Sequence, residues 1–398
     1  MTAIDEGIVA ARSGDLAKLQ GWLAAGNVPD QYDATGWTPL LWASARGHAG
    51  AVDMLLKRGA DVALPHRDSG ALPIHLAGQS GDIGTSELLL EKRPTQIDAI
   101  WDLNGHTISL QAVFYGHLEL MKHLLARHPD LSITTARGLG AMDLATQFQN
   151  AEMMDILRPH DVSAEAKAAY YRSYLKRIAP VIPPGEEKVR ELADRLVDVI
   201  GAGIKNAATD ASVVQATLDA VRGIVEKEKA DVNRLGGALQ QPPLIVVVTG
   251  NNGFPPNPGV ASLRKQLAKY LLEKGADPTL HEQHPMGAQT IIRAAVFNHL
   301  DILKMCAQYM TSQQLTDAIN EIPLVNGLTA MHDAVLRATM ADPDRFEGYL
   351  DQVRWFVANG GRSDMEDYAG VTQRDIAERT DKPEVRRRLL AVLDGKEM

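Results

Sequence analysis

The sequence has little cysteine and few aromatic residues, and it lacks both a long apolar run and an excess of basic residues. Cys306 is the single cysteine among 398 residues. An intramolecular disulfide and a multi-cysteine metal site are therefore excluded, and a reducing compartment is favoured. The longest apolar run, residues 244–248, is far too short to span a bilayer. The chain does not begin with a basic segment and an apolar core, so we expect no secretory signal, a cytoplasmic location and no membrane partner.

Charge and composition further limit the class of protein to which this chain can belong. Fifty acidic residues against 41 basic ones give a formal net charge of −9. A nucleic-acid-binding protein needs clustered lysine and arginine, so nucleic acid is not the expected partner. Hydrophobic residues make up 45% of the chain, which excludes wholesale disorder. The length predicts two or three domains, or one extended array.

A repeat is present in the N-terminal half. Gly36, Gly70, Gly105 and Gly138 mark the same point of four units, separated by 34, 35 and 33 residues. In the clearest unit, D-A-T-G-W-T-P-L-L-W-A (33–43) leads to G-H (47–48) and then to L-L-K-R-G-A-D (55–61). The glycine supplies the positive φ of a tight turn. The threonine can cap a helix through its hydroxyl, and the proline suits the first helical position.

This unit resembles the ankyrin repeat, whose pattern is D-x-x-G-x-T-P-L-H-x-A, then G-H, then L-L-x-x-G-A-D. The resemblance is strongest over 33–130 and looser over 240–398. It implies an all-α ankyrin-repeat solenoid, because one helix pair cannot bury its apolar face alone. Between the two parts the repeat signals are missing, although apolar residues recur at helical spacing from Val189 to Ile200. We therefore expect three regions: N-terminal repeats (1–160), an inserted helical segment (161–230) and degenerate C-terminal repeats (231–398).

The inserted segment has two possible arrangements, since it either packs on the array or joins its two halves. The resemblance also implies where a partner binds. In ankyrin proteins the binding residues flank the turn glycine or lie just before Gly-His, on the concave face. Carried onto this sequence, the first set is Trp37, Asp68, Ser69, Asn104, His106, Arg137, Met286 and Asn326. The second set is Arg46, Gln79, Phe114, Tyr115, Phe148, Phe297 and Arg337.

The phenylalanines of the second set are the most informative residues. The chain contains only six phenylalanines, yet Phe114, Phe148 and Phe297 occupy equivalent positions in three repeats. An aromatic side chain buries about 150–250 Å² and often dominates the energy of an interface. Two interpretations remain open. The rings either pack on the inserted segment as core, or line a shared groove for a peptide or small molecule.

The histidines are expected to be mainly structural. His48, His117 and His299 occupy the Gly-His position, and His75 and His332 the Thr-Pro-Leu-His position, where an imidazole hydrogen-bonds the backbone of an adjacent turn. The sequence H-E-Q-H (281–284) lies in a predicted turn and lacks the spacing of a helical zinc motif. We therefore expect neither a metal nor a cofactor.

Two main functions from different classes remain, together with a third in which the protein neutralises a partner as an immunity-type or effector-type inhibitor. The first is a recognition protein that binds a partner protein or peptide on the concave face. The alternative is an ankyrin-scaffold enzyme, a hydrolase or lyase, acting on a small molecule in an aromatic, histidine-containing pocket. Its candidate catalytic residues are His106, His284 and Arg137. A closed pocket of roughly 300–1,000 Å³ with convergent polar groups would favour the enzyme, whereas an open groove would favour partner binding.

Overall fold

The computed structural model describes residues 3–148, 150–210, 212–249, 257–284, 287–323, 327–368, 370–380 and 382–397. Over these ranges the regular structure is helical, and β-pairing is limited to isolated antiparallel bridges such as Trp101–His106 and His281–Gln289. The predicted all-α class is confirmed. No helix within the described ranges combines the length and the apolar character needed to cross a membrane.

The contacts divide the chain into two compact units. The first comprises the described residues up to Ala179, together with Tyr368 and Gly370. The second comprises the remaining described residues from Pro180 onward. Each unit has its own hydrophobic core.

The first unit consists of stacked helix pairs followed by one longer helix. In each pair, the first helix packs on the first helix of the next pair, and the second helices form a parallel row. The helices are α1 (Ala3–Ser13), α2 (Leu16–Ala24), α3 (Pro39–Ala45), α4 (Ala49–Lys57), α5 (Pro73–Ser80), α6 (Ile83–Lys92), α7 (Ile108–Phe114), α8 (Leu118–Leu125), α9 (Ala141–Gln147), α10 (Ala151–Leu157) and α11 (Ala164–Ile178). Short 3₁₀ turns occupy Pro94–Asp98 and Arg158–His160.

The start of α3 shows why the repeat sequence folds in this way. Gly36 has a φ of +83°, which a residue with a Cβ rarely adopts. The Thr38 hydroxyl accepts a hydrogen bond from the Leu41 N–H at 3.2 Å, and Pro39 is the first helical residue. All three roles expected from the sequence are confirmed.

Imidazole rings connect neighbouring repeats in the expected way. Nε2 of His48 lies 3.1 Å from the Arg12 carbonyl oxygen, and Nε2 of His117 lies 2.8 Å from that of Gln79. These two rings reach back to the preceding repeat. His75 reaches forward, with its Nε2 3.0 Å from the Ala99 carbonyl oxygen. Each hydrogen bond joins the histidine side chain of one repeat to the backbone of a neighbouring repeat.

Helix α11 completes the first unit. The buried Tyr174 donates its hydroxyl hydrogen to the Asp102 carbonyl at 2.8 Å, and Tyr171 donates to that of Ala136 at 3.2 Å. The Lys167 ammonium group pairs with the Asp143 carboxylate at 2.9 Å. The helix therefore covers the last two turn tips of the array.

The second unit repeats this plan of two helix rows. The first row is α12 (Glu187–Asn206), α14 (Pro243–Val248), α16 (Thr290–Val296), α19 (Ala330–Met340) and α21 (Gln373–Arg379). The second row is α13 (Val213–Arg222), α15 (Pro258–Glu273), α17 (Leu300–Ala307), α20 (Pro343–Ala358) and α22 (Pro383–Leu393). A π-helical turn at Gly223–Lys227 extends α13, and α18 (Ser312–Asn320) is inserted between α17 and α19.

Residues 161–230 are thus divided between the two units. Helix α11 ends the first unit, and α12 with α13 forms the first helix pair of the second. A separate inserted segment is not confirmed, and the boundaries at 160 and 230 stay predictions.

Candidate functional site

The ends of the first helices carry the second set of sequence-predicted residues. Arg46, Tyr115 and Phe148 follow directly after α3, α7 and α9, at their C-caps, and Phe114 is the last residue of α7. Gln79 lies in the last turn of α5. The first-helix row therefore brings residues that are far apart in the sequence to equivalent positions of neighbouring repeats.

Three of these residues form a cluster that we call the aromatic patch: Phe114, Tyr115 and Phe148. The rings of Phe114 and Phe148 meet edge to face, with centroids 5.2 Å apart and an interplanar angle of 84°. Tyr115 packs against Phe114 at 5.1 Å. Both phenylalanines remain 37% exposed. Two of the three phenylalanines at equivalent repeat positions are thus in contact with each other and partly exposed.

The buried His106 packs against Phe114 of the aromatic patch. Its ring lies edge to face with Phe114 at 5.6 Å, and the residue is only 8% exposed. Its backbone N–H donates to Oδ1 of Asn104 at 2.9 Å. Burial lowers the pKa of His106 to about 4, and the Gln111 side chain opposes this shift only in part. The imidazole is therefore neutral at physiological pH, with a pKa far from the neutral range that suits a general base.

Trp37 belongs to a second aromatic cluster of the first unit. It stacks on Trp42 with centroids 4.1 Å apart and meets the edge of His66 at 4.9 Å. The guanidinium groups of Arg12 and Arg46 lie 4.9 and 5.7 Å from the centre of the Trp42 ring. Trp37 is 5% exposed. This indole therefore acts mainly in packing, although the sequence predicts it as a contact for a partner.

The polar turn-tip residues differ in their accessibility. Asp68 and Arg137 are exposed, whereas Asn104 is buried and holds the tip that carries His106. Met286 and Asn326 lie outside the described residues.

The remaining predicted residues belong to the second unit. Phe297 follows α16 at its C-cap and is half-buried, with its ring 6.5 Å from that of His299. Arg337 forms an ion pair with Asp333 at 2.6 Å. The backbone N–H of His284 donates to the Leu239 carbonyl at 3.1 Å. Phe297 therefore has the same place in its helix pair as Phe148 has in the first unit.

Sequence reasoning missed a buried ion pair in the second unit. Nε of Arg293 donates to Oε1 of Glu282 at 2.6 Å, and Gln241 donates to Oε2 of Glu282 at 2.5 Å. The side chains of Arg293 and Glu282 are 2% and 0% exposed. The two residues are eleven positions apart and lie on either side of a turn, so a helical spacing in the sequence does not predict the pair.

Among the described residues, no group of histidine, cysteine or acidic side chains is arranged to hold a metal ion.

A small cavity in the first unit lies away from the aromatic patch. It encloses about 10 Å³, which is room for roughly one water molecule. Its lining includes Leu131, Leu157, Val162 and Lys167, and neither His106 nor Arg137 contributes to it. The enzyme alternative stays a prediction.

Comparison with known families identifies the repeats. A family profile described as ankyrin repeats (3 copies) matches residues 8–100. Residues 8–100 therefore carry ankyrin repeats, and the helical fold is of the all-α ankyrin-solenoid class. The match ends at residue 100, whereas the stacking of helix pairs continues through α7–α10 and recurs in the second unit. The aromatic patch therefore lies outside the residues that the family profile matches.

Curated relatives match a third of the chain or less. The Ankyrin repeat protein nuc-2 of Neurospora crassa is 30% identical over 130 residues, which are 33% of this chain and 12% of that protein. Ankyrin repeat and KH domain-containing protein mask-1 of Caenorhabditis elegans is 32% identical over 124 residues, 30% of this chain and 4% of that protein. Ankyrin repeat and SAM domain-containing protein 6 of Mus musculus is 33% identical over 75 residues, 19% and 8% of the two chains. The matched segments span about an eighth or less of these relatives, so their other domains say nothing about this chain.

Proposed function

We propose that this protein binds a partner protein or peptide through the aromatic patch of its first unit. Ankyrin repeats generally serve as protein–protein interaction modules, which supports a binding function for the array. The observation that carries the proposal is the exposed edge-to-face pair of Phe114 and Phe148.

The exposure of this pair is what distinguishes it from ordinary core. Folding removes most large apolar side chains from water, and a cluster that stays exposed marks an interaction site. Each phenylalanine keeps 37% of its surface accessible although the other ring is in contact with it. A partner side chain that covers both rings gains apolar burial together with aromatic contacts.

The patch is also held in place before a partner arrives. Phe114 ends a helix whose residues Ala112 and Val113 are buried, and it rests on the ring of His106. Phe148 follows a helix that packs on α7. Rings fixed in this way lose little conformational entropy on binding, which increases the net affinity.

Polar residues of the same unit guide the chemistry that we assign to the partner. Gln79 is half-buried in the preceding repeat, and the exposed Arg137 lies at the turn tip before α9. The first unit thus carries an apolar patch together with polar residues at a helix end and a turn tip, and protein interfaces commonly combine apolar and polar groups. We therefore assign to the partner an aromatic or branched aliphatic anchor flanked by polar residues.

Peptide selection tests this assignment. A random peptide library is selected on the purified full-length protein, and the affinities of the enriched peptides are measured by calorimetry. Combined Phe114→Ala and Phe148→Ala substitutions should weaken binding by about 2 kcal/mol or more, roughly 30-fold in Kd, because buried aromatic anchors dominate interfaces.

The matched control is Val28→Ala. Val28 is 53% exposed in the same unit but lies outside the patch, so its removal should leave the Kd unchanged. All variants are checked for unchanged far-ultraviolet circular dichroism. Equal affinity of wild type and double variant, or equal loss in Val28→Ala, would show that the patch does not bind the peptides.

A further inference from the structure

A short apolar segment joins α11 to α12, and we call it the proline segment: Pro180, Val181, Ile182, Pro183 and Pro184. All five residues are exposed and lie outside any helix. Val181 is 94% exposed and Ile182 is 44% exposed. Two β-branched apolar residues presented to solvent side by side are unusual, because such side chains are among the most often buried.

Covalent structure restricts the backbone of this segment. Proline fixes φ near −65°, and a residue that precedes proline is excluded from the helical region and directed to extended or polyproline II geometry. Ala179 precedes Pro180 and has φ −58° and ψ 131°. Ile182 precedes Pro183, which in turn precedes Pro184. Val181 is therefore the only residue of the proline segment without a proline-imposed restriction.

Both ends of the proline segment are attached to ordered structure. On one side α11 is fixed to the first unit through the buried Tyr174. On the other side the Glu186 N–H donates to the Pro183 carbonyl at 3.1 Å, which closes a turn with Pro184 and Gly185 at its centre. Gly185 has a φ of +87°, as the third position of a type II turn requires. The segment is thus held between a helix end and a tight turn.

We propose that the proline segment is a docking site for a domain that recognises polyproline II peptides in an aromatic-lined groove. A polyproline II helix has three residues per turn, so Pro180 and Pro183 project from the same edge. This Pro-x-x-Pro spacing is the one that SH3 and WW domains bind, and a pre-formed ligand reduces the entropy lost on docking. The surface is distinct from the aromatic patch and acts independently of it.

Charges at the two ends of the segment determine its orientation in the groove. Arg177, in the last turn of α11, is 43% exposed, and the exposed Glu187 begins α12. Arg177 pairs with Asp102 at 2.9 Å, and Asp102 is 68% exposed. Such an exposed ion pair exchanges at little cost for a carboxylate of a partner. The partner groove therefore carries an acidic side chain at the end that faces Arg177.

The test uses the full-length protein and a panel of purified SH3 and WW domains as probes. Calorimetric titration should give saturable one-to-one binding with at least one domain of the panel. Pro183→Ala should weaken that binding at least tenfold, because it removes one of the two prolines on the binding edge. Arg177→Gln should weaken it several-fold and also reduce its dependence on salt concentration.

Two controls separate docking from changes in folding. Pro94→Ala removes an exposed proline at a 3₁₀ turn of the first unit and should leave the affinity unchanged. Phe114→Ala with Phe148→Ala should also bind the domain as wild type does. The proposal is overturned if no domain of the panel binds the wild type, or if Pro183→Ala and Pro94→Ala bind equally well.

Discussion

At the residue scale, Glu282 and Arg293 form the most deeply buried ion pair among the described residues. The two side chains meet at 2.6 Å with 0% and 2% exposure. Their mutual attraction must offset the large cost of removing two charges from water, so such a pair contributes little net stability over an apolar pair. Removing Glu282 has a different effect, because the buried Arg293 charge then loses an opposite charge that offset its removal from water.

We predict that Glu282→Gln lowers the free energy of unfolding by about 3–5 kcal/mol, since the Arg293 guanidinium loses its carboxylate in a dry environment. Urea unfolding followed by circular dichroism measures the change. Glu384→Gln is the control, because Glu384 pairs with Arg387 where both side chains are more than 60% exposed. The control variant should unfold almost as wild type does. An equally small effect of both substitutions would contradict the prediction.

Local motifs predict residues whose role is set within one repeat. Gly36, Thr38 and Pro39 act within a few positions of each other, so the turn and the cap could be assigned from sequence. The ion-pair partner of Glu282 could not be assigned from sequence, because it is the tertiary packing of a turn against α16 that brings Arg293 to Glu282. Trp37 was predicted as a contact residue from its place beside the turn glycine. Its burial depends on Trp42 and other rings that the motif does not encode.

At the scale of the element, turn glycines and histidine rings fit into each other between repeats. A Cβ atom placed on Gly81 would lie 2.5 Å from Nδ1 of His117, and one on Gly14 would lie 2.9 Å from Nδ1 of His48. Both glycines also have a positive φ, at +75° and +69°. The imidazole that hydrogen-bonds the preceding repeat therefore needs a glycine beneath it, so the two residues act as one inter-repeat contact.

We predict that Gly81→Ala destabilises the first unit more than Gly59→Ala. Both residues have a positive φ, but a Cβ on Gly59 would meet nothing within 4 Å. Gly59→Ala should lower the free energy of unfolding only by the backbone strain of about 1–2 kcal/mol. Gly81→Ala should lower it by that amount and by the additional cost of the clash with His117. Both are measured by urea unfolding followed by tryptophan fluorescence, because Trp22, Trp37, Trp42 and Trp101 report on this unit.

A double-mutant cycle isolates the contact between the two side chains. When His117 is replaced by alanine, the additional cost of Gly81→Ala over Gly59→Ala should disappear, because no ring remains above the turn. An unchanged difference in the His117→Ala background would show that backbone strain alone explains the effect.

Helix pairs were predictable where the repeat motif is intact, and not where apolar packing alone defines them. Helices α12 and α13 lack the Thr-Pro and Gly-His signals, so the sequence places them in an insertion. In the structure Leu196 and Ile200 join Leu218 and Val221 in one buried cluster, which makes the two helices a pair of the second unit. The spacing of Phe114 and Phe148 showed that they occupy equivalent positions of neighbouring repeats, whereas the contact between their rings is seen only in the structure.

At the scale of the whole molecule, buried neutral histidines link stability to pH in both units. Burial lowers the pKa of His75, His106 and His332 to about 4. In His332, Nδ1 accepts the Thr329 N–H at 3.1 Å and Nε2 donates to the Val371 carbonyl at 3.1 Å. Protonation of Nδ1 would turn this acceptor into a second donor that faces a donor. The folded protein therefore binds these protons only with difficulty, whereas the unfolded chain binds them near pH 6.5.

We predict that stability is fully retained above about pH 6.5 and is lost progressively as the pH falls towards 4. The unfolded state binds up to one more proton per buried histidine in that window, and each proton contributes up to about 1.4 kcal/mol per pH unit. His332→Asn should therefore reduce the slope of unfolding free energy against pH by up to one proton. Urea unfolding at closely spaced pH values measures the slope.

His281 should act in the opposite direction, because hydrogen bonding to Glu321 raises its pKa. Its contribution to stability is therefore present at low pH and is lost as the pH rises through the folded-state pKa. A slope that is the same in wild type and His332→Asn would mean that the buried ring is protonated as readily in the folded protein as in the unfolded chain.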